Sequence, residues 1–295
     1  MAVVPKINLY FTAIRVQQWL KNLLIFVPLI AVYDPSDILK IQNAFLAFFS
    51  FSFCASGIYI LNDIIDLQSD RTHPTKKRRP LAAGDMPLQH GLFLAPLLII
   101  ASYGIAFFLP PKFVAVISVY FVLTMLYSFR MKKIAILDVM ALAGFYTLRI
   151  IGGTAAISVE PSFLLLAYSM FIFLSLALVK RCSELKMHEE LGGNVINSNN
   201  YRPPDREYLQ TIGILCGLIS VLLMAFYINS PEIVARYSHP RVLWGICVLL
   251  FYWVAWIWLN LVRGEIYDDP FVFILKDNTS RLIVGALGIC FFLAI

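Results

Sequence analysis

Apolar residues along this chain come in long runs, and the polar residues gather between them. The runs fall at about 20–33, 41–62, 91–109, 113–129, 134–156, 162–180, 209–229, 241–262 and 279–295. Most approach the roughly 20 residues that a helix needs to cross a hydrocarbon layer. Lipid offers the backbone no hydrogen bonds, so only helices or closed barrels span it, and no stretch shows the ten-residue alternation of a barrel strand. The pattern predicts an all-α integral membrane protein with nine transmembrane helices. Residues 3–19 read as an amphipathic lead-in, with Trp19 and Lys21 as interfacial anchors. Arg15 and Lys21 interrupt that segment and no cleavage site follows, so no signal peptide is expected.

Composition agrees. The chain has 295 residues, 60% hydrophobic and only 14% charged, whereas a soluble domain is nearer about half and about a quarter. The five cysteines, Cys54, Cys182, Cys216, Cys247 and Cys290, lie in or beside apolar runs without metal or disulfide spacing and read as small hydrophobes. A net charge of +6 suits anionic substrates and membrane lipids better than nucleic acid, which is not expected as a partner.

Charge placement adds an orientation. Arg71 to Arg79, Arg130, Lys132, Lys133, Lys180, Arg181, Lys186, Arg202, Arg206, Arg263 and Lys276 all fall on one side of a nine-span chain. Lys40, Lys112, Arg236 and Arg241 fall on the other. The positive-inside rule then makes the N-terminus cytoplasmic, in a multi-pass protein of the cell (inner) membrane. The expectation is one transmembrane domain over residues 1–295, with polar loops at about 66–90 and 181–208 capping an active site that faces the cytoplasm.

The first of those loops carries the densest chemistry. Asp63, Asp66 and Asp70 follow one another at helical spacing, which places three carboxylates on one helix face. A helix C-terminus is already negative, so such a stripe is unfavourable unless a cation joins it. With Asn62, the three form a candidate Mg²⁺ site, and Arg71, Lys76, Lys77, Arg78 and Arg79 a candidate phosphate site beside it. A solvated helix end paired with its own basic loop is the plainer alternative. Of the four histidines, only His73 sits within a motif, where loop hydrogen bonding is a more ordinary role than catalysis.

NDIIDLQSD (Asn62–Asp70) followed by RPLAAG (Arg79–Gly84) resembles the first aspartate-rich motif of the UbiA prenyltransferase superfamily, which implies a UbiA-like helical bundle. HPTKKRRPLAAG, from His73 to Gly84, is similar to the decaprenyl-phosphate phosphoribosyltransferase branch, as is the lead-in Gln18-Trp19-Leu20-Lys21-Asn22 with Pro28 after it. Classical members carry a second aspartate-rich motif after the sixth helix. This chain has Lys180-Arg181-Cys182-Ser183-Glu184-Leu185 there, again similar to the phosphoribosyltransferase branch. Lys180 and Arg181 suit phosphate, and Glu184 a ribose hydroxyl or the metal shell. An ordinary basic flank with an (i, i+4) Lys–Glu pair is the alternative.

The resemblance implies transfer of 5-phosphoribose from phosphoribosyl pyrophosphate to a polyprenyl phosphate, with release of pyrophosphate and Mg²⁺ as cofactor. Asp63, Asp66, Asp70, Lys180 and Glu184 would be catalytic, and Lys21, Asn62, Arg71, His73, Lys76, Arg79, Tyr127, Arg149, Arg181, Asp277 and Arg281 would bind substrate. Among these, Arg149 lies inside an apolar run and so is expected to face a cavity, with Asp138 as a second wall group. Gly152 and Gly153 beside it permit close helix packing. Tyr127 also reads as an interfacial anchor, and Asp277 and Arg281 as part of a solvated acidic loop. Trp253, Trp256 and Trp258 read as lipid-facing or packing residues. A prenyltransferase acting on an aromatic or other small acceptor, and a transporter or lipid-binding protein, are the other classes the sequence admits. A homo-oligomer is left open.

Overall fold

A computed structural model of the chain describes residues 6–32, 37–72, 76–190, 201–266 and 270–295, and among them only helices and connecting turns occur. The chain divides into two compact units, residues 1–129 with 148–161, and residues 130–147 with 162–295.

In the first unit, α1 (Lys6–Ala13) is followed by Arg15, whose left-handed backbone (φ 52°) turns the chain into a 3-10 helix, Val16–Phe26. That helix relaxes into α2 (Val27–Val32). Asp37 caps α3 (Ile38–Ile65), its side chain accepting from the Lys40 amide at 3.1 Å. At 1.5 Å per residue the 28 residues of α3 reach about 42 Å, more than a hydrocarbon core, so its charged end projects beyond the lipid. Next come α4 (Leu67–Thr72), α5 (Pro80–Ala83), α6 (Leu88–Ala106) and α7 (Pro111–Phe129). Small residues let α3 and α6 approach closely. A methyl at Gly57 would sit 2.9 Å from the Ala95 carbonyl oxygen. Ser50 and Ser102 each donate to the other's backbone carbonyl, at 2.9 and 2.7 Å. Such small-residue and hydroxyl contacts hold helices together where lipid supplies no hydrophobic drive.

The second unit begins with α8 (Leu137–Ala156), which passes into the first unit at Leu148. It continues with α9 (Phe163–Glu190), α10 (Asp205–Ile228), α11 (Pro231–Arg236), α12 (Trp244–Arg263), α13 (Pro270–Lys276) and α14 (Asn278–Ala294). Ser175 on α9 donates to the Gly213 carbonyl at 2.7 Å and accepts from the Trp258 indole at 3.1 Å, tying α9, α10 and α12 at one point.

Seven helices among the described residues are long and apolar enough to cross a membrane: α3, α6, α7, α8, α9, α10 and the stretch Pro240–Arg263. Val16–Val32 and Asn278–Ala294, expected as the first and ninth spans, are apolar but shorter. The count of nine is therefore not reached on length, because a 3-10 stretch breaks the first and the last has only 17 residues.

Candidate functional site

The aspartate motif sits where α3 ends. Asp63 lies in its last turn and is only 4% exposed, and Asp70, one break further on, is 2% exposed. The helix breaks at Asp66 (φ −88°, ψ 8°) before restarting as α4. Arg79 Nη1 lies 3.0 Å from Asp63 Oδ1 and 2.6 Å from Asp70 Oδ2, so one guanidinium joins both carboxylates. Arg15 Nη2 reaches the same Asp63 oxygen at 2.5 Å while its guanidinium lies over the Tyr59 ring at 4.8 Å.

The local sequence explains this placement. A residue before proline is driven to extended backbone, and Arg79 adopts φ −66°, ψ 142° before Pro80 opens α5. Gly84 closes that turn at φ 83°, a conformation only glycine takes freely. Leu81 and Met86 then pack with Ala13, Ile60 and Ala95, which pins the loop over the end of α3.

Among the described residues, no three acidic, His or Cys side chains converge as a metal shell. The three-carboxylate stripe is thus not assembled, and Asp66, at the break, is the partly buried member. What the end of α3 does offer is oxygen donors of the kind that suit a hard cation. Asp63 and Asp70 supply carboxylates, and Asn62 Oδ1 is the one buried side-chain oxygen without a hydrogen-bond partner among the described residues. Mg²⁺ ordinarily takes one or two carboxylates and completes its shell with water and phosphate, so these residues fit it. Arg71 is exposed and Lys76 partly exposed on the rim, and His73 lies outside the described residues.

The lead-in motif has a different task. Asn22, 1% exposed, donates to Ser52 Oγ at 3.0 Å and accepts from Arg149 Nε at 2.7 Å. Arg149 Nη2 donates to the Tyr120 hydroxyl at 3.2 Å, and its guanidinium lies 5.2 Å from that ring's centre. Trp19 donates to Ser56 Oγ at 3.0 Å, so this motif and α3 are stitched together through two serines. Arg149 is 4% exposed and bonded to its neighbours, as an intramembrane arginine must be. Lys21, next to Asn22, and Tyr127, in the last turn of α7, are both partly exposed.

In the second unit the charged end of α9 forms its own network. Arg181 Nε contacts Asp138 Oδ2 at 2.6 Å, and Arg181 Nη1 pairs with Glu184. Tyr201 donates to Asp138 Oδ1 at 2.5 Å and accepts from the Ile136 amide at 2.8 Å. Burial, and then the adjacent Asp138 carboxylate, push the Tyr201 phenol above its ordinary range. Ile136 sits at φ 68°, a costly conformation for a β-branched residue, directly beside this network. Glu184 thus pairs with Arg181 and not in the alternative (i, i+4) bond to Lys180, which is partly exposed.

Asp277 caps α14, accepting from the Ser280 amide at 2.7 Å and the Trp256 indole at 3.1 Å. Burial raises its pKa, but the bonds from Ser280 and Trp256 outweigh burial and hold the carboxyl below its usual range. Arg281 is exposed and bonds Asn278, one turn earlier. Both residues serve this helix end. Sequence reasoning overlooked Arg15 as a partner of Asp63 and Tyr201 as a partner of Asp138. For Arg15 a signal existed: with Lys6 it is one of only two cations in an amphipathic stretch that has no carboxylate.

Residues 23–192 match the UbiA prenyltransferase family. Protein y4nM of Sinorhizobium fredii is 35% identical over 287 residues, 97% of this chain, and the chain spans only 55% of that protein's length. Nodulation protein NoeC of Azorhizobium caulinodans is 30% identical, with 96% of this chain and 92% of NoeC covered. The decaprenyl-phosphate phosphoribosyltransferase of Mycolicibacterium smegmatis is also 30% identical, with 94% and 90% covered. A solved structure of a UbiA homologue from Archaeoglobus fulgidus, bound to GPP and Mg²⁺, has the same fold at a TM-score of 0.70 and 18% identity, with 97% of this chain and 96% of that one covered. With more than half of its length matched, and a helical fold shared from end to end with a solved homologue, this chain belongs to the UbiA prenyltransferase family.

Proposed function

We propose that the protein moves 5-phosphoribose from phosphoribosyl pyrophosphate to a polyprenyl phosphate and releases pyrophosphate, with Mg²⁺ as cofactor. The observation that carries the reading is the charged end of α9. Where a second aspartate-rich motif would hold metal for a prenyl diphosphate, this chain has KRCSEL, with Arg181 engaged by Asp138 and Glu184. The similarity to the mycobacterial decaprenyl-phosphate enzyme supports the same donor and acceptor.

In this reading Asp63, Asp70 and Asn62 hold the cation, with Asp66 beside them; a solved UbiA homologue is bound to Mg²⁺. When bound, Mg²⁺ supplies positive charge against the pyrophosphate that departs. Arg79, Arg71 and Lys76 add cationic donors for the donor's phosphates. Loss of pyrophosphate leaves oxocarbenium character at the anomeric carbon, and a carboxylate near it offsets that charge. The acceptor is a phosphate monoester with a second pKa near 6, largely ionised at pH 7, so no general base is needed. Lys180 and Glu184 remain candidates for contact with phosphate and ribose.

The same proposal has the N-terminus and the basic loops on the cytoplasmic side of the inner membrane, with nine crossings. A 3-10 helix rises about 2.0 Å per residue, so Val16–Val32 extends about 31 Å despite its few residues, and α14 about 26 Å. The test is direct. Purified protein, Mg²⁺, labelled phosphoribosyl pyrophosphate and a polyprenyl phosphate should give label in the lipid phase, and chelation should stop it. Asp63→Ala should abolish turnover while the protein stays folded. A lipid phase without label, together with prenylation of an aromatic acid from a polyprenyl diphosphate, would replace this reading with the classical one.

A further inference from the structure

A small cavity of about 140 Å³ lies in the second unit between the ends of α9, α10 and α12, and nothing in the proposed reaction uses it. Cys182 and Lys186 of α9, Arg206 and Gln210 of α10, and Leu261 and Val262 of α12 line it. Its volume is roughly ten times what one water molecule needs. Two cations and an amide face it, and no carboxylate is among the described residues that line it. Lys186 Nζ donates to the Val262 carbonyl at 3.1 Å, which takes one of its three protons.

The Lys186 ammonium and the Arg206 guanidinium line the same cavity, so an anion placed there is attracted by both. The N-terminal end of α10 adds a little attraction, but the C-terminal ends of α9 and α12 oppose it, so the side chains carry the effect. A guanidinium fork and an ammonium together match the oxygens of a phosphate. The cavity is also separate from the motif chemistry. Cys182 and Lys186 share one face of α9, while Lys180 and Glu184 lie about 200° around the same helix.

We propose that this cavity binds a phosphate group, and the surroundings favour that of an anionic lipid headgroup. Val262 at its edge is 57% exposed and Leu261 forms an apolar wall, so acyl chains have a surface beside the cations. Basic pockets between membrane helices near their charged ends bind such headgroups elsewhere.

Native mass spectrometry of the detergent-purified chain tests the assignment with phosphatidylglycerol, phosphatidylcholine and inorganic phosphate as separate probes. Wild type should retain phosphatidylglycerol several-fold more than phosphatidylcholine. Lys186→Gln with Arg206→Gln should bring the two to the same level, and Lys186→Arg should keep the preference. If inorganic phosphate alone raises the melting temperature of wild type but not of the double variant, and phosphatidylglycerol is not retained, the site stands with free phosphate as its source. Equal retention of both lipids in wild type and double variant, without any effect of phosphate, overturns the proposal. Should the double variant not purify as a single species, either single substitution is judged by the same criterion.

Discussion

Gly153 on α8 offers a test of how the lead-in motif is held. A methyl built there would lie 2.2 Å from the Ile25 carbonyl oxygen, 3.0 Å from its carbon and 3.1 Å from Pro28 Cδ. Ordinary contact begins near 3.4 Å, so the 3-10 helix and α8 must separate by more than an ångström. Backbone atoms are the obstacle, and they cannot swing aside as a side chain would. Overpacking of this kind costs about 1–3 kcal/mol, here near the top of the range. Alanine returns about 1 kcal/mol through helix propensity, leaving Gly153→Ala destabilised by about 2 kcal/mol. Gly144, on the same helix, has nothing within 4 Å, so Gly144→Ala should gain about 1 kcal/mol. The two variants therefore differ by about 3 kcal/mol. Melting followed by tryptophan fluorescence in detergent reads the difference, with Gly153→Ala several degrees below wild type. Its transferase activity should fall further than its stability, because Ile25 shares the 3-10 helix with Lys21 and Asn22 and an ångström of displacement loosens Asn22 from Arg149. Variants that melt within a degree of each other would refute the close approach.

Other outcomes follow from the same geometry. Arg79→Lys keeps the charge, but its shorter stem holds the ammonium back from the point where the single Nη1 contacts both Asp63 and Asp70, and it should lower kcat at least tenfold with little change in melting. Tyr201→Phe removes one of the donors to buried Asp138 and should cost about 1–3 kcal/mol. Because the fold raises the Tyr201 pKa, its contribution is complete below the ordinary value near 10 and is lost as pH rises through the folded one. The gap between wild type and the Phe variant should thus hold to about pH 9 and narrow in stronger alkali. Asp277→Ala should cost about 1 kcal/mol as a lost helix cap, while Asp277→Asn keeps most of it. The Asp277 pKa is depressed, so its share of stability is present above the ordinary carboxylate range and fades as pH falls through the lower folded value. Melting curves between pH 7 and about pH 3 should show wild type losing that share and the Asn variant not.

Much was legible in the chain before any coordinates. Long apolar runs dictate helices because lipid leaves the backbone no other partner, and the loop charges name the ends that matter. RPLAAG reads directly as a turn, since proline holds Arg79 extended and Gly84 takes the left-handed close. Partnership was not legible. Arg15 and Arg79 approach Asp63 from 48 and 16 residues away, and Arg149 finds Asn22 across 127. A hydrogen bond of such separation depends on which helices pack together, and helical periodicity says nothing of that.

The sequence by itself determined an all-helical membrane protein, the family motif at the end of α3, and a charged end of α9 without a second aspartate pair. The tertiary structure alone decided which charges are spent on one another. Asp63 and Asp70 converge on Arg79 while Asp66 marks a break, Arg181 is locked to Asp138 and Glu184, and Arg149 is held by Asn22 and Tyr120. The reason is the cost of burial. A charge inside a membrane bundle must have a partner within a few ångströms, and packing, not spacing along the chain, chooses the one it gets.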